Sequence, residues 1–199
     1  MPIRSYNDCA RRYADTWSRG ERPIFEEIAV GSQARRLAAL QTGAGYFRIA
    51  RNFHRAFDVE RGVPRLKPVL EVLDPYRASK LNLVTMRSAV ARLRVDLGVR
   101  YGGGDRLSAA TKFLWLLQRA PVVIYDSQAR RALGAPVGDY DRYVKLWRAG
   151  YQENQENIRE ACDALSQRSA DRVPFRPGTA PEWFRQRVYD LYLWQAGSK

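Results

Sequence analysis

Between Thr111 and Gly134 the chain reads TKFLWLLQRAPVVIYDSQARRALG, with Lys112 inside an apolar, aromatic run and Asp126 closing a second one. An amine and a carboxylate in such surroundings are groups that can act on a carbon centre. Asp126 stands where an N-cap stands, just before SQARRALG, and free helix amides together with the helix dipole favour the anionic form of a capping carboxylate. That anion suits two tasks: stabilising an oxocarbenium-like centre as a sugar–base bond breaks, or activating water or an amine for attack. The simpler alternative is a cap and nothing more. Lys112 has a parallel choice. Desolvated, its amine is a nucleophile able to form a Schiff base with a deoxyribose C1′; otherwise its stem lies along the helix and its ammonium reaches solvent or a phosphate.

The elements that must position these two groups read as helices. Turn signals cut the chain into candidate helices at about 5–19, 33–41, 45–57, 65–73, 78–97, 106–119, 127–133, 139–168 and 180–195. Ser5 and Asp8 make a capping-box-like start to the first. Leu83, Met86, Val90, Leu93 and Leu97 form one apolar stripe along the fifth. The long 139–168 segment carries Val144, Trp147, Tyr151, Ile158, Ala161 and Leu165, interrupted by Asn154. PVVIYDS (Pro121 to Ser127) has β-favouring residues but no partner strand, so a buried connector between two helices is the expectation. All-α is the fold class.

Lys112 shares its face of the 106–119 helix with Ser108, Trp115 and Arg119, while Leu107, Ala110, Leu114 and Leu117 form the more apolar side. The turn before it, YGGGDRLS, holds Gly102, Gly103 and Gly104, whose backbone amides can approach a phosphate closely or simply form a loop. Arg48, Arg51 and Arg55 recur along one face of the predicted 45–57 helix beside Tyr46, Phe47 and Phe53, as a phosphate track or a solvated basic face. Tyr101, Trp115 and Tyr125 are candidates to stack on an extruded base, with Trp147 at a core position.

Composition narrows the field. The 199 residues contain 34 Lys and Arg against 21 Asp and Glu, a net charge of +13, so a polyanionic partner is expected, nucleic acid first. Arginine outnumbers lysine 29 to 5, which suits bidentate phosphate contacts and equally a GC-rich genome. Hydrophobic content of 45% with 12% aromatics argues for a folded core. No spanning segment, signal peptide or lipidation motif is read, so the expectation is a cytoplasmic protein. With only Cys9, Cys162 and His54, a zinc centre, an iron–sulfur cluster or a histidine-dependent triad lacks material, and no cofactor is expected.

The order glycine turn, lysine helix, apolar connector, aspartate opening the next helix resembles the helix-hairpin-helix DNA glycosylase superfamily. SAATKFLWLL, VVIYDSQARRALG and PEWFRQRVYDLYLWQAG look like a bacterial 8-oxoguanine-glycosylase-like family, over roughly residues 100 to 197. The resemblance implies a single compact unit of two helical lobes, about 1–97 and 98–199, with a central cleft taking double-stranded DNA and a flipped, modified base. It matches Asp126 to the catalytic aspartate and Lys112 to the nucleophilic lysine of bifunctional members. Two departures stand out. The usual lysine-to-aspartate separation is longer, landing near Leu107 or Ser108, and YGGGDRLS lacks the Leu-Pro-Gly-Val-Gly hairpin form. The function expected is excision of a modified base by a monomeric enzyme. A narrower form is defence against phage DNA with glucosylated hydroxymethylcytosine. The rivals are a non-catalytic helical DNA-binding or regulatory protein and an RNA-binding or toxin-like interaction protein.

Overall fold

The computed structural model describes residues 5–53, 65–165, 173, 175, 176 and 178–198. These are helical throughout, with no strand among them, and the connector 121–126 is irregular. The helices are α1 (Tyr6–Thr16), α2 (Arg22–Val30), α3 (Gln33–Tyr46), α4 (Lys67–Leu73), α5 (Leu83–Arg100), α6 (Leu107–Leu117), α7 (Ser127–Ala132), α8 (Tyr140–Glu153), α9 (Gln155–Asp163) and α10 (Glu182–Ala196). They gather into two units, Glu21–Ile124 and the pair of segments Met1–Gly20 with Tyr125–Lys199. The sequence reading puts a boundary near residue 97. In the structure the packing changes hands at Gly20/Glu21 and Ile124/Tyr125, because α1 buries Tyr13 against Phe184 of α10.

Within Glu21–Ile124 the central element is α6, which packs against α2, α3, α4 and α5. Leu107 and every residue from Ala109 to Leu117 are buried, so this helix is enclosed on all sides. Its start is met by a side chain. Asp105 Oδ1 accepts the Leu107 N–H at 2.9 Å, and Arg94 holds Asp105 at 2.8 Å. Beyond the other end the Gln118 amide accepts the Leu81 N–H at 3.1 Å and donates to the carbonyls of Tyr76 and Ser79, tying down the segment that leads into α5. α5 itself starts with a capping box: Asn82 Oδ1 accepts from Val84 and Thr85, and Thr85 Oγ1 accepts from the Asn82 N–H. Of its predicted core stripe, Met86, Val90, Leu93 and Leu97 are buried and Leu83 is exposed at the helix start.

Helix α2 has no counterpart in the sequence reading, although Pro23 in its first turn and Gly31 just after its end are the usual punctuation. The predicted 33–41 and 45–57 helices are one helix to Tyr46 and then a break. The Ile49 N–H bonds the Ala44 carbonyl, the Arg48 N–H bonds the Gly45 carbonyl, and Arg48 sits at φ 55°. That is a Schellman ending with arginine in the position glycine prefers. A short 3₁₀ turn, Ala50–Asn52, follows.

The predicted 139–168 helix is likewise two. Asn154 donates its side-chain amide to the Gly150 carbonyl at 2.8 Å and its backbone N–H to the same turn, closing α8 before α9 begins. In this second unit α10 packs against α7, α1 and α9. Its side chains build an aromatic core with Tyr13, Trp17, Trp183 and Phe184 on one side, and Trp147, Tyr151 and Tyr189 on another. One buried polar bond crosses that core, from Trp147 Nε1 to Asp190 Oδ1 at 2.7 Å, with Arg187 at 3.7 Å from the same carboxylate. Replacing Trp147 with Phe removes the donor and leaves a buried carboxylate short of a partner. Denaturant unfolding should show a loss of about 2–3 kcal/mol.

Candidate functional site

Asp126 caps α7. Its backbone is extended, its Oδ1 accepts the Gln128 N–H at 2.9 Å, and its carbonyl accepts the Arg130 N–H at 2.8 Å. The four residues before it, Val122 to Tyr125, are buried, while Asp126 itself is half-buried and Ser127 exposed. A carboxylate therefore emerges at the end of an apolar connector.

Three contacts fix that position. Tyr125 accepts the Gly138 N–H at 2.9 Å through its hydroxyl and sets its ring edge-on to Tyr143 at 5.0 Å. The Tyr143 hydroxyl in turn interacts with the Asp126 backbone. Tyr143 is wholly buried, and burial, reinforced by the charges of Asp190 and Asp126, pushes its phenol well above the usual tyrosine range, so it stays neutral. Finally, Gly197 lies against the Gln128 carbonyl so closely that a Cβ there would overlap it, and the Gly197 carbonyl accepts from Arg131 at 2.9 Å. The end of α10 thus seats α7, and with it the cap.

Lys112 sits in the middle of α6 and is only 7% exposed. Its helix is enclosed, where a charge is costly unless matched. Trp115, one turn on, is buried with its ring edge-on to Phe47 at 6.1 Å. Tyr101 is buried too, its hydroxyl donating to the Arg65 carbonyl at 2.7 Å and its ring meeting Phe53. These two rings pack the Glu21–Ile124 unit, whereas Tyr125 belongs with Asp126 in the other unit.

The glycine turn is an open backbone. Gly102, Gly103 and Gly104 take φ values of 75°, 90° and 80° and are exposed, and Gly102 is the left-handed residue of a second Schellman ending, with the Gly103 N–H on the Gly98 carbonyl at 2.7 Å. Of the three predicted phosphate-tracking arginines, Arg48 and Arg51 are exposed, and Arg55 lies outside the described residues. Arg48 and Arg51 do not share a helical face, because the chain leaves the helix at Phe47 and turns left-handed at Arg48.

A basic face on α8 escaped the sequence reading. Arg142, Lys145 and Arg148 follow at three-residue steps, Arg142 and Lys145 exposed and Arg148 half-buried, and none forms an ion pair. Several arginines elsewhere are paired: Arg11 with Asp8, Arg22 with Glu26, Arg35 with Glu27, Arg36 with Asp74, Arg100 with Glu71 and Arg159 with Glu156. The signal in the sequence is three cations at one helical spacing, with Asp141 four residues before Lys145 and no acid three or four residues from Arg148.

Among the described residues no group of histidine, cysteine and carboxylate side chains converges as a metal site, and no helix is long and apolar enough to cross a membrane. Cys9 and Cys162 are both buried, and burial pushes the Cys162 thiol up to about 12. Comparison with protein-family models, with curated proteins and with solved structures found no match.

The cap makes a prediction separable from chemistry. Asp126→Ala should lower stability by about 1 kcal/mol, whereas Asp126→Asn, an equally good cap, should leave the unfolding midpoint nearly unchanged.

Proposed function

We propose that the chain is a DNA glycosylase that releases a modified base from duplex DNA. The observation that carries this reading is Asp126: a half-buried carboxylate at a helix N-terminus, at the end of a buried connector, with its backbone held from Tyr143 and its helix seated by Gly197. A preorganised anion of this kind lowers the barrier to a step that builds positive charge on a sugar. The C1′–N bond breaks, its electron pair leaves with the base, and the oxocarbenium-like sugar is captured by water, which gives up a proton. The products are an abasic site and the free base. The chain order of glycine turn, lysine helix, connector and capping aspartate, with its resemblance to helix-hairpin-helix glycosylases, supports the same reading.

In this scheme Lys112 has one of two roles. As nucleophile, its amine attacks C1′ in place of water and yields, after ring opening, an imine that borohydride reduces to a stable adduct. As a supporting charge it gives no adduct. The decisive experiment incubates the protein with genomic DNAs of differing modification, phage DNA containing glucosylated hydroxymethylcytosine included, and identifies released bases by mass spectrometry. Asp126→Asn should abolish release while keeping DNA affinity within about threefold; near-normal turnover of that variant sinks the mechanism. Borohydride trapping of the native protein, lost in Lys112→Gln, would assign the nucleophile.

The unpaired face of α8 favours a second reading, a nucleic-acid-binding protein without catalysis. Both readings need phosphate contacts, so they share a test of that face. Replacing Arg142 and Lys145 with Ala should flatten the dependence of log affinity on log salt by about 0.9 per cation, roughly 2 in all. Released base separates the two readings.

A further inference from the structure

Helix α5 is apolar on two opposite faces. One face, Met86, Ala89, Val90, Leu93 and Leu97, is buried. The other, Val84, Ser88, Ala91, Val95 and Val99, recurs at steps of four, three, four and four residues and is exposed, with Val84, Val95 and Val99 at 75%, 63% and 79%. A helix that packs one face in its own core has no need of valine on the other, and such a stripe on a surface is the mark of a contact made elsewhere.

We propose that this stripe pairs with the same stripe of a second copy of the chain, the two α5 helices running antiparallel about a twofold axis near residue 94. Self-complementarity identifies the occupant. In an antiparallel pair, residues whose numbers sum to about 188 lie level, and flanking residues on one side meet the same flank of the partner helix. Val99 then lies over the small residues Ser88 and Ala91 of the second copy, and Val95 meets Val95. On the rim, Arg92 comes level with Asp96 of the second copy, and the pair occurs twice. Within one chain these two residues stand one turn apart without forming an ion pair. Arg92 bonds the Tyr76 hydroxyl, and Asp96, half-buried, lies near the same hydroxyl. Two other cations of this helix are matched within the chain, Arg94 by Asp105 and Arg100 by Glu71. A polyanion would gain little from a row of valines.

A single helix pair sits at the small end of interface sizes, below roughly 1,200 Å², so association is weak and concentration-dependent. Because each chain carries +13, repulsion opposes pairing at low salt and screening favours it, opposite to the salt response of nucleic-acid binding.

Sedimentation velocity across a wide concentration range should show the mass rising from 22.9 kDa towards twice that value, more readily at higher salt. Val95→Asp should weaken association at least tenfold with an unchanged circular-dichroism spectrum. Asp96→Arg should weaken it, and adding Arg92→Asp should restore it. Register is read by cysteine cross-linking: Val95→Cys should oxidise to a disulfide-linked dimer, while Val137→Cys, still more exposed and in the turn before α8, should stay monomeric. The native cysteines are buried and do not compete. A native chain monomeric at every concentration and salt, or equal cross-linking through position 137, overturns the proposal.

Discussion

The enclosure of α6 governs the Glu21–Ile124 unit. A helix buried around its whole circumference cannot send its end groups to water, so polar side chains from outside the helix must meet them. Asp105 does this at the start, held by Arg94 from α5, while Gln118, just past the end, bonds three backbone groups of the 76–81 segment. The path of the chain into and out of α5 follows from these few bonds. Lys112 is buried in that helix next to Thr111, a second buried polar residue.

Much of the helical framework was legible, since periodicity and capping residues are local. Asp126 is the clearest case: a carboxylate before SQARRALG, after an apolar run, reads as a cap, and the helix begins where that reading puts it. Breaks inside helical patterns were less legible. Asn154 was visible as an interruption, but only its amide bond to Gly150 shows that it ends the helix. The turn at Arg48 was hidden because arginine is an uncommon left-handed residue, and Arg48 and Arg51, spaced as on a helical face, do not form one.

Burial and pairing were the properties least written in the order of residues. Lys112 looks the same in sequence whether its helix lies at the surface or at the centre; its surroundings come from α2, α3, α4 and α5. The same holds for charge. A net +13 says nothing of where the excess resides, and only the partners of Arg36, Arg94 and Arg100, all distant in sequence, reveal which cations are already neutralised and which, as on α8, are not. Tyr143 was not singled out either, since its link to Asp126 runs through backbone seventeen positions away.

The membership of α1 has a consequence for biosynthesis. Tyr13 and Trp17 leave the ribosome early, yet their aromatic partners Trp183 and Phe184 are made only after the whole Glu21–Ile124 unit has emerged. The intervening unit is continuous in sequence and is complete before those partners exist, whereas the unit that holds Asp126 must wait with the inner face of an amphipathic helix, Cys9, Ala10, Tyr13 and Ala14, uncovered. Order of synthesis thus makes the unit around the aspartate form after the unit that interrupts it.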